Sequence, residues 1–82
     1  MNALDVIKYK IKKLYNTNPN IHVNVSITRP KVVLKNEPAT IKNIYPHIFQ
    51  IEEHSSGVPR CHTLQYSDIL TKQIEIVELG VI

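Results

Sequence analysis

Ile21-His22-Val23-Asn24-Val25-Ser26-Ile27-Thr28 alternates strictly between aliphatic and polar side chains. A period of two puts Ile21, Val23, Val25 and Ile27 on one face of an extended chain and His22, Asn24, Ser26 and Thr28 on the other. A helix would spread both classes around its circumference, so this stretch predicts a strand with one face against a core. Upstream the period changes. Leu4, Ile7, Ile11, Leu14 and Tyr15 recur at spacings of three and four, which gathers one apolar stripe and predicts a helix over residues 3–15. Asn2 can cap it, Asp5 suits the positive N-terminal end of the helix, and Lys12 and Lys13 suit the negative C-terminal end. Asn16-Thr17-Asn18-Pro19 then stops it.

Downstream, Arg29-Pro30-Lys31 reads as a basic turn and Val32 to about Lys35 as a second strand. Asn36-Glu37-Pro38 interrupts that strand with a bulge, bend or edge, because proline cannot donate to a ladder, and the strand resumes from Ile41 to Tyr45. His47 to Glu53 forms a third strand with Phe49 and Ile51 on one face, followed by a hairpin loop, His54-Ser55-Ser56-Gly57-Val58-Pro59. Arg60 to Tyr66 forms a fourth, with Leu64 and Tyr66 inward. Ser67 to Thr71 is too short for a full helix and reads as a single 3₁₀ turn. Gln73 to Leu79 supplies the last strand. The expected fold is mainly β: a small SH3-like five-stranded barrel (residues 20–80) preceded by an N-terminal α-helix (residues 1–16), the whole chain 1–82 forming one domain. Closure would remove the edges through which an open sheet pairs with other chains.

A chain of 82 residues has room for one small core. Its 43% hydrophobic and 21% charged residues suit a folded globule and exclude a disordered polyelectrolyte. Apolar runs of two or three residues, such as Ile76-Val77, fall far short of the roughly 20 that span a bilayer. The N-terminus, with Asp5 and no continuous apolar stretch, does not read as a secretory signal. One cysteine, Cys61, excludes an intrachain disulfide and fits a reducing compartment, so the expected location is the cytoplasm. Residues 1–42 carry eight Lys or Arg against two acids, whereas residues 43–82 carry two against five. Such a two-sided charge can steer one face toward nucleic acid or an acidic protein patch unless the fold interleaves the halves.

Tyr45-Pro46-His47-Ile48-Phe49-Gln50-Ile51, followed after a hairpin by Tyr66-Ser67-Asp68-Ile69-Leu70-Thr71 and by Ile74-Glu75-Ile76, resembles the Veg family of small Firmicute proteins. The resemblance is specific from Tyr45 to about Leu79. Upstream it rests on the arrangement of helix, loop and strand, and Arg29-Pro30-Lys31 stands where that family tends to have a turn rich in glycine and basic residues. The resemblance implies an SH3-like barrel and a regulatory role in biofilm formation through control of matrix-gene expression. It implies no catalytic residue and no cofactor. The motif residues Tyr45, Pro46, Phe49, Ile51, Tyr66, Asp68, Ile69, Leu70 and Thr71 also make structural sense by themselves: Tyr45, Phe49, Ile51, Ile69 and Leu70 are natural core residues, and Asp68 can cap the short turn.

Four histidines and Cys61 supply zinc-type donors, but no C-x₂-C or H-x₃₋₅-H pair occurs, and Cys61 and His62 fall on opposite faces of one strand. Glu52 and Glu53 splay apart in the same way, and a small filled barrel offers little cleft to enclose a nucleophile and its base. The expectation is a binding protein without a metal site. Two surfaces are candidates. Lys8, Lys10, Lys12, Lys13, Arg29, Lys31 and Lys35 form a basic set on the helix and first hairpin that could neutralise phosphates, against the plainer reading of solvated lysines. Val6, Tyr9 and Lys13 follow one another on the side of the helix opposite its main stripe, a second face that could meet a regulatory protein partner, against the plainer reading of isolated exposed apolar residues. Oligomeric state is left open by the sequence.

Overall fold

The computed structural model describes residues 2–28 and 31–80. Helix α1 spans Ala3–Thr17 and is capped by Asn2, whose Oδ1 accepts the Asp5 amide at 2.8 Å. It ends at Thr17 with Asn18 as C-cap, two residues beyond the expected end. Lys12 and Lys13 therefore lie outside the last turn, and the helix-end role expected for them falls away. The apolar stripe holds: Ile7 and Ile11 are fully buried, and Leu4, Leu14 and Tyr15 pack partly buried against the core.

Strands β1 (Asn20–Thr28), β2 (Lys31–Ile44), β3 (Ile48–Glu53), β4 (Arg60–Gln65) and β5 (Ile74–Ile76) form one antiparallel sheet in the order β4-β3-β2-β1-β5. The sheet is open, with β4 and β5 as its edges, so the closed barrel expected from the sequence is not what the ladders form. Ile21, Val23 and Val25 are buried as their alternation requires, with Ile27 half-buried at the hairpin end. They face Leu34, Ile41, Phe49, Ile51, Leu64, Ile74 and Ile76 in a single hydrophobic core under α1.

β2 is one strand of 14 residues with a bulge inside it. Between Val23↔Glu37 and Val25↔Leu34, the single residue Asn24 of β1 stands opposite two of β2, Lys35 and Asn36. Asn36 adopts φ +47°, a conformation asparagine tolerates better than most residues, and its amide donates to Asn24 Oδ1 at 2.8 Å. Asn24 Nδ2 in turn donates to Glu75 Oε1 at 2.9 Å, so one side chain ties the bulge to the edge strand β5.

The C-terminal part departs from the sequence reading. Ser67–Leu70 forms a four-residue helical turn, α2, and β5 has three residues before the chain turns into a 3₁₀ segment, Val77–Leu79. The alternation of Ile74 and Ile76 ends at Val77, which is 47% exposed, while Leu79 turns back into the core. Helix α2 has Tyr66 as N-cap with no side-chain capping bond, so Asp68 does not cap it. Instead the Asp68 carbonyl accepts from the Gln73 amide at 3.0 Å and from Thr71 Oγ1 at 3.2 Å. Tyr45 and Leu70 are surface residues, 46% and 44% exposed, not core. Tyr45 contributes its carbonyl, which accepts the buried Tyr66 hydroxyl at 2.7 Å, while the Tyr66 ring stacks on Phe49 at 5.3 Å.

Candidate functional site

The outer side of α1 is where the sequence placed a partner surface. Tyr9 is 63% exposed, the largest exposure among the exposed large hydrophobic residues, with Lys13 exposed on the same side and Val6 half-buried beside it. No described element covers Tyr9. The stripe thus has one prominent exposed aromatic side chain and a shallower apolar shoulder.

The described members of the basic set lie in several different surroundings. Lys8 is half-buried with its ammonium 5.9 Å from the Tyr66 ring centroid, which takes it toward the motif region. Lys10 and Lys13 share a small concavity with Leu14, Thr17, Glu78 and Leu79. Lys12 and Lys31 are exposed, and Lys35 lies on a different groove together with Lys72. Arg29 lies outside the described residues. Acids from the second half of the chain interleave with these cations: Glu75 is tied to β1 through Asn24, and Glu78 accepts from the His22 amide at 2.7 Å and pairs with His22 Nδ1 at 2.8 Å. Burial pushes the Glu78 carboxyl up, but the His22 ring and amide outweigh it and hold it below its ordinary range.

A charged cluster that the sequence reading missed sits at the base of the β3–β4 hairpin. Glu53 is fully buried, yet every oxygen is engaged: Oε1 accepts from the Ser55 amide and hydroxyl, both at 2.8 Å, and Oε2 meets His62 Nε2 at 2.6 Å and an Arg60 guanidinium nitrogen at 3.0 Å. Burial would raise its pKa, but the His62, Ser55 and Arg60 donors prevail and lower it from about 4.5 to about 2. The signal was present in the chain, since Glu53 has the same strand parity as Phe49 and Ile51. The donors all converge on one carboxylate, and the Ser55 hydroxyl donates to Glu53 rather than to the imidazole, so no activated nucleophile results. The cluster locks the hairpin. Cys61, next to it, is exposed on the other face. Among the described residues no group of three His, Cys, Asp or Glu side chains could hold a metal ion.

A groove of about 870 Å³ lies between the β1–β2 bulge and the α2–β5 segment, larger than the small filled barrel of the sequence reading allowed for. Its lining includes Val33, Leu70 and Val77, all substantially exposed, with Lys35 and Lys72. Of the motif residues, Ile69 and Leu70 line it; Phe49, Ile51, Tyr66 and Ile69 are buried, Pro46 and Thr71 are exposed and Asp68 is half-buried.

With the helix, sheet and motif in place, one comparison is decisive: the family model described as biofilm formation stimulator VEG matches residues 2–77. The chain belongs to the VEG family. The match takes in α1 and the whole sheet, well beyond the stretch from Tyr45 that carried the resemblance in the sequence. No curated protein and no solved structure matched the chain. The description of VEG names a stimulator of biofilm formation and no chemical reaction. No described helix is long and apolar enough to cross a membrane.

Proposed function

We propose that this VEG chain is a non-enzymatic regulatory module of the bacterial cytoplasm that stimulates biofilm formation by binding a regulatory protein and so altering gene expression. Family membership supports the biofilm role. The observation that carries the binding mode is Tyr9, an aromatic side chain left 63% exposed on the outer face of α1, between Val6 and Lys13. Aromatic residues bring large contact area at low entropic cost and dominate interface energetics, so an uncovered tyrosine on a rigid helix is a suitable anchor. The strand order β4-β3-β2-β1-β5, entirely antiparallel, supports reading the sheet as an SH3-like plan opened between its edge strands.

Contact with RNA or DNA through Lys8, Lys10, Lys12, Lys13, Arg29, Lys31 and Lys35 is the competing reading. The distribution of these cations weakens it, because Lys8, the pair Lys10 and Lys13, and Lys35 lie in three different environments. The test is recovery of partners from extract of a biofilm-forming bacterium on immobilised protein, with and without nuclease, alongside a biofilm assay of a strain carrying Tyr9→Ala. A protein partner retained after nuclease and lost with Tyr9→Ala is expected, together with reduced biofilm. Recovery abolished by nuclease and untouched by Tyr9→Ala would transfer the function to nucleic acid.

A further inference from the structure

The groove between the β1–β2 bulge and the α2–β5 segment is a second surface, separate from the outer face of α1. Its apolar part is built from Val33, Leu70 and Val77, which are 55%, 44% and 47% exposed and gain nothing from the core by being apolar. Its charged lining has two cations against one carboxylate. Lys35 and Lys72 are both exposed, and the one carboxylate among the described lining residues, Glu75, already accepts from Asn24 Nδ2 at 2.9 Å.

The backbone beneath the two lysines is unusual. After α2, the Lys72 amide donates to the Ile69 carbonyl at 3.2 Å and the Gln73 amide to the Asp68 carbonyl at 3.0 Å, the paired bonds of a helix-ending motif whose turning residue is left-handed. Lys72 is that residue, at φ +63°. Glycine is the inexpensive choice at such a position, so a lysine there carries a strain that the fold itself does not require. Lys35 adjoins the other left-handed residue that is not glycine, Asn36, at the bulge. Both groove cations are thus set on, or beside, backbone in a sparsely populated conformation.

We propose that this groove binds an acidic protein segment bearing aliphatic side chains, with Val33, Leu70 and Val77 meeting the aliphatic groups and Lys35 and Lys72 meeting the carboxylates. The argument for this occupant is charge complementarity over an apolar floor: a basic segment would meet two lysines against a single carboxylate, Glu75, and a purely polar one would leave the three apolar side chains in water. The proposal does not depend on the Tyr9 surface, and its test keeps the two apart.

The probe is a labelled peptide alternating leucine with glutamate, titrated into isotopically labelled protein while backbone amide shifts are recorded at low and moderate salt. Shifts are expected to cluster at residues 33–35 and 70–77. Two control peptides, one with lysine replacing glutamate and one with serine replacing leucine, are expected not to shift them. Lys72→Gly removes the cation while easing the backbone, so it is expected to weaken peptide binding about three- to ten-fold without lowering Tm. Leu70→Ser, at an exposed site, is expected to weaken it by a similar factor, and Tyr9→Ala to leave it unchanged. Peptide shifts confined to α1 or to β4, equal binding by the lysine peptide, or retention of full affinity by both Lys72→Gly and Leu70→Ser would overturn the proposal. So would saturation of the same amides by oligothymidylate at concentrations where the acidic peptide has no effect.

Discussion

At the residue scale, Glu53 shows how a charge is kept in so small a core. A carboxylate without partners in that position would cost several kcal/mol, but the Ser55, His62 and Arg60 donors fill both oxygens. Its folded pKa, about 2, lies below the ordinary value of about 4.5, so its contribution to stability is complete above the ordinary value and is lost as pH falls from there through about 2. Urea unfolding should accordingly show a stability loss from Glu53 on the order of 3 kcal/mol across that window, and Glu53→Ala should lose less by about that amount while keeping the smaller acid loss from the depressed Glu78 carboxyl. At neutral pH, Glu53→Ala should cost about 2–3 kcal/mol, less than for a fully buried pair because Arg60 is 47% exposed and can rehydrate. The period-two pattern of β3 makes the position of Glu53 legible, since it continues the face of Phe49 and Ile51. Its partners were not legible, because Ser55 lies in a loop whose path no local pattern specifies. Tyr45 and Leu70 were misplaced for a related reason: residue type gives a burial preference, whereas the turns on either side decide which way each side chain points.

At the element scale, α1 divides into a face that holds the fold and an exposed face that carries Tyr9. Ile7→Ala or Ile11→Ala removes a fully buried side chain and should cost about 2–4 kcal/mol in urea unfolding. Tyr9→Ala, made in the same helix two residues from Ile7, should change stability by less than about 0.5 kcal/mol. In β1, Asn24→Ala would release both the Asn36 amide and Glu75, and a loss of about 1–2 kcal/mol is expected. Hydrogen exchange should then accelerate first at Ile74–Ile76. The strand β1 and the stripe of α1 were readable because their periods are uninterrupted over many residues. The Asn36-Glu37-Pro38 break was readable as a bulge, bend or edge, and the structure selects the bulge, a choice that depends on Asn24 across the ladder. The final strand was overextended because Ile74, Ile76 and Leu79 are all buried, yet the step from Ile76 to Leu79 is three residues and belongs to a 3₁₀ turn.

At the scale of the whole molecule, the fold interleaves part of the charge separation written along the chain. Strand β5 and the turn after it bring Glu75 and Glu78 against β1, with Glu78 beside Lys10 and Lys13 and Glu75 in the groove with Lys35 and Lys72, so acids stand next to four of the described cations. That placement could not be foreseen from charge order alone, because it depends on β5 pairing with β1 across the length of the sheet. Nor could the open edge between β4 and β5, since local pattern is the same in a closed barrel and an open sheet. The measurement that bears most directly on a protein-binding helix face is the affinity of the recovered partner for two variants at two salt concentrations, with melting curves showing both folded. Tyr9→Ala is predicted to cost about 1–2 kcal/mol or more at either salt, with Lys8, Lys12 and Lys13 replaced together by Gln having the smaller effect. A strong loss in the triple variant with a flattened salt dependence, and little change in Tyr9→Ala, would contradict it.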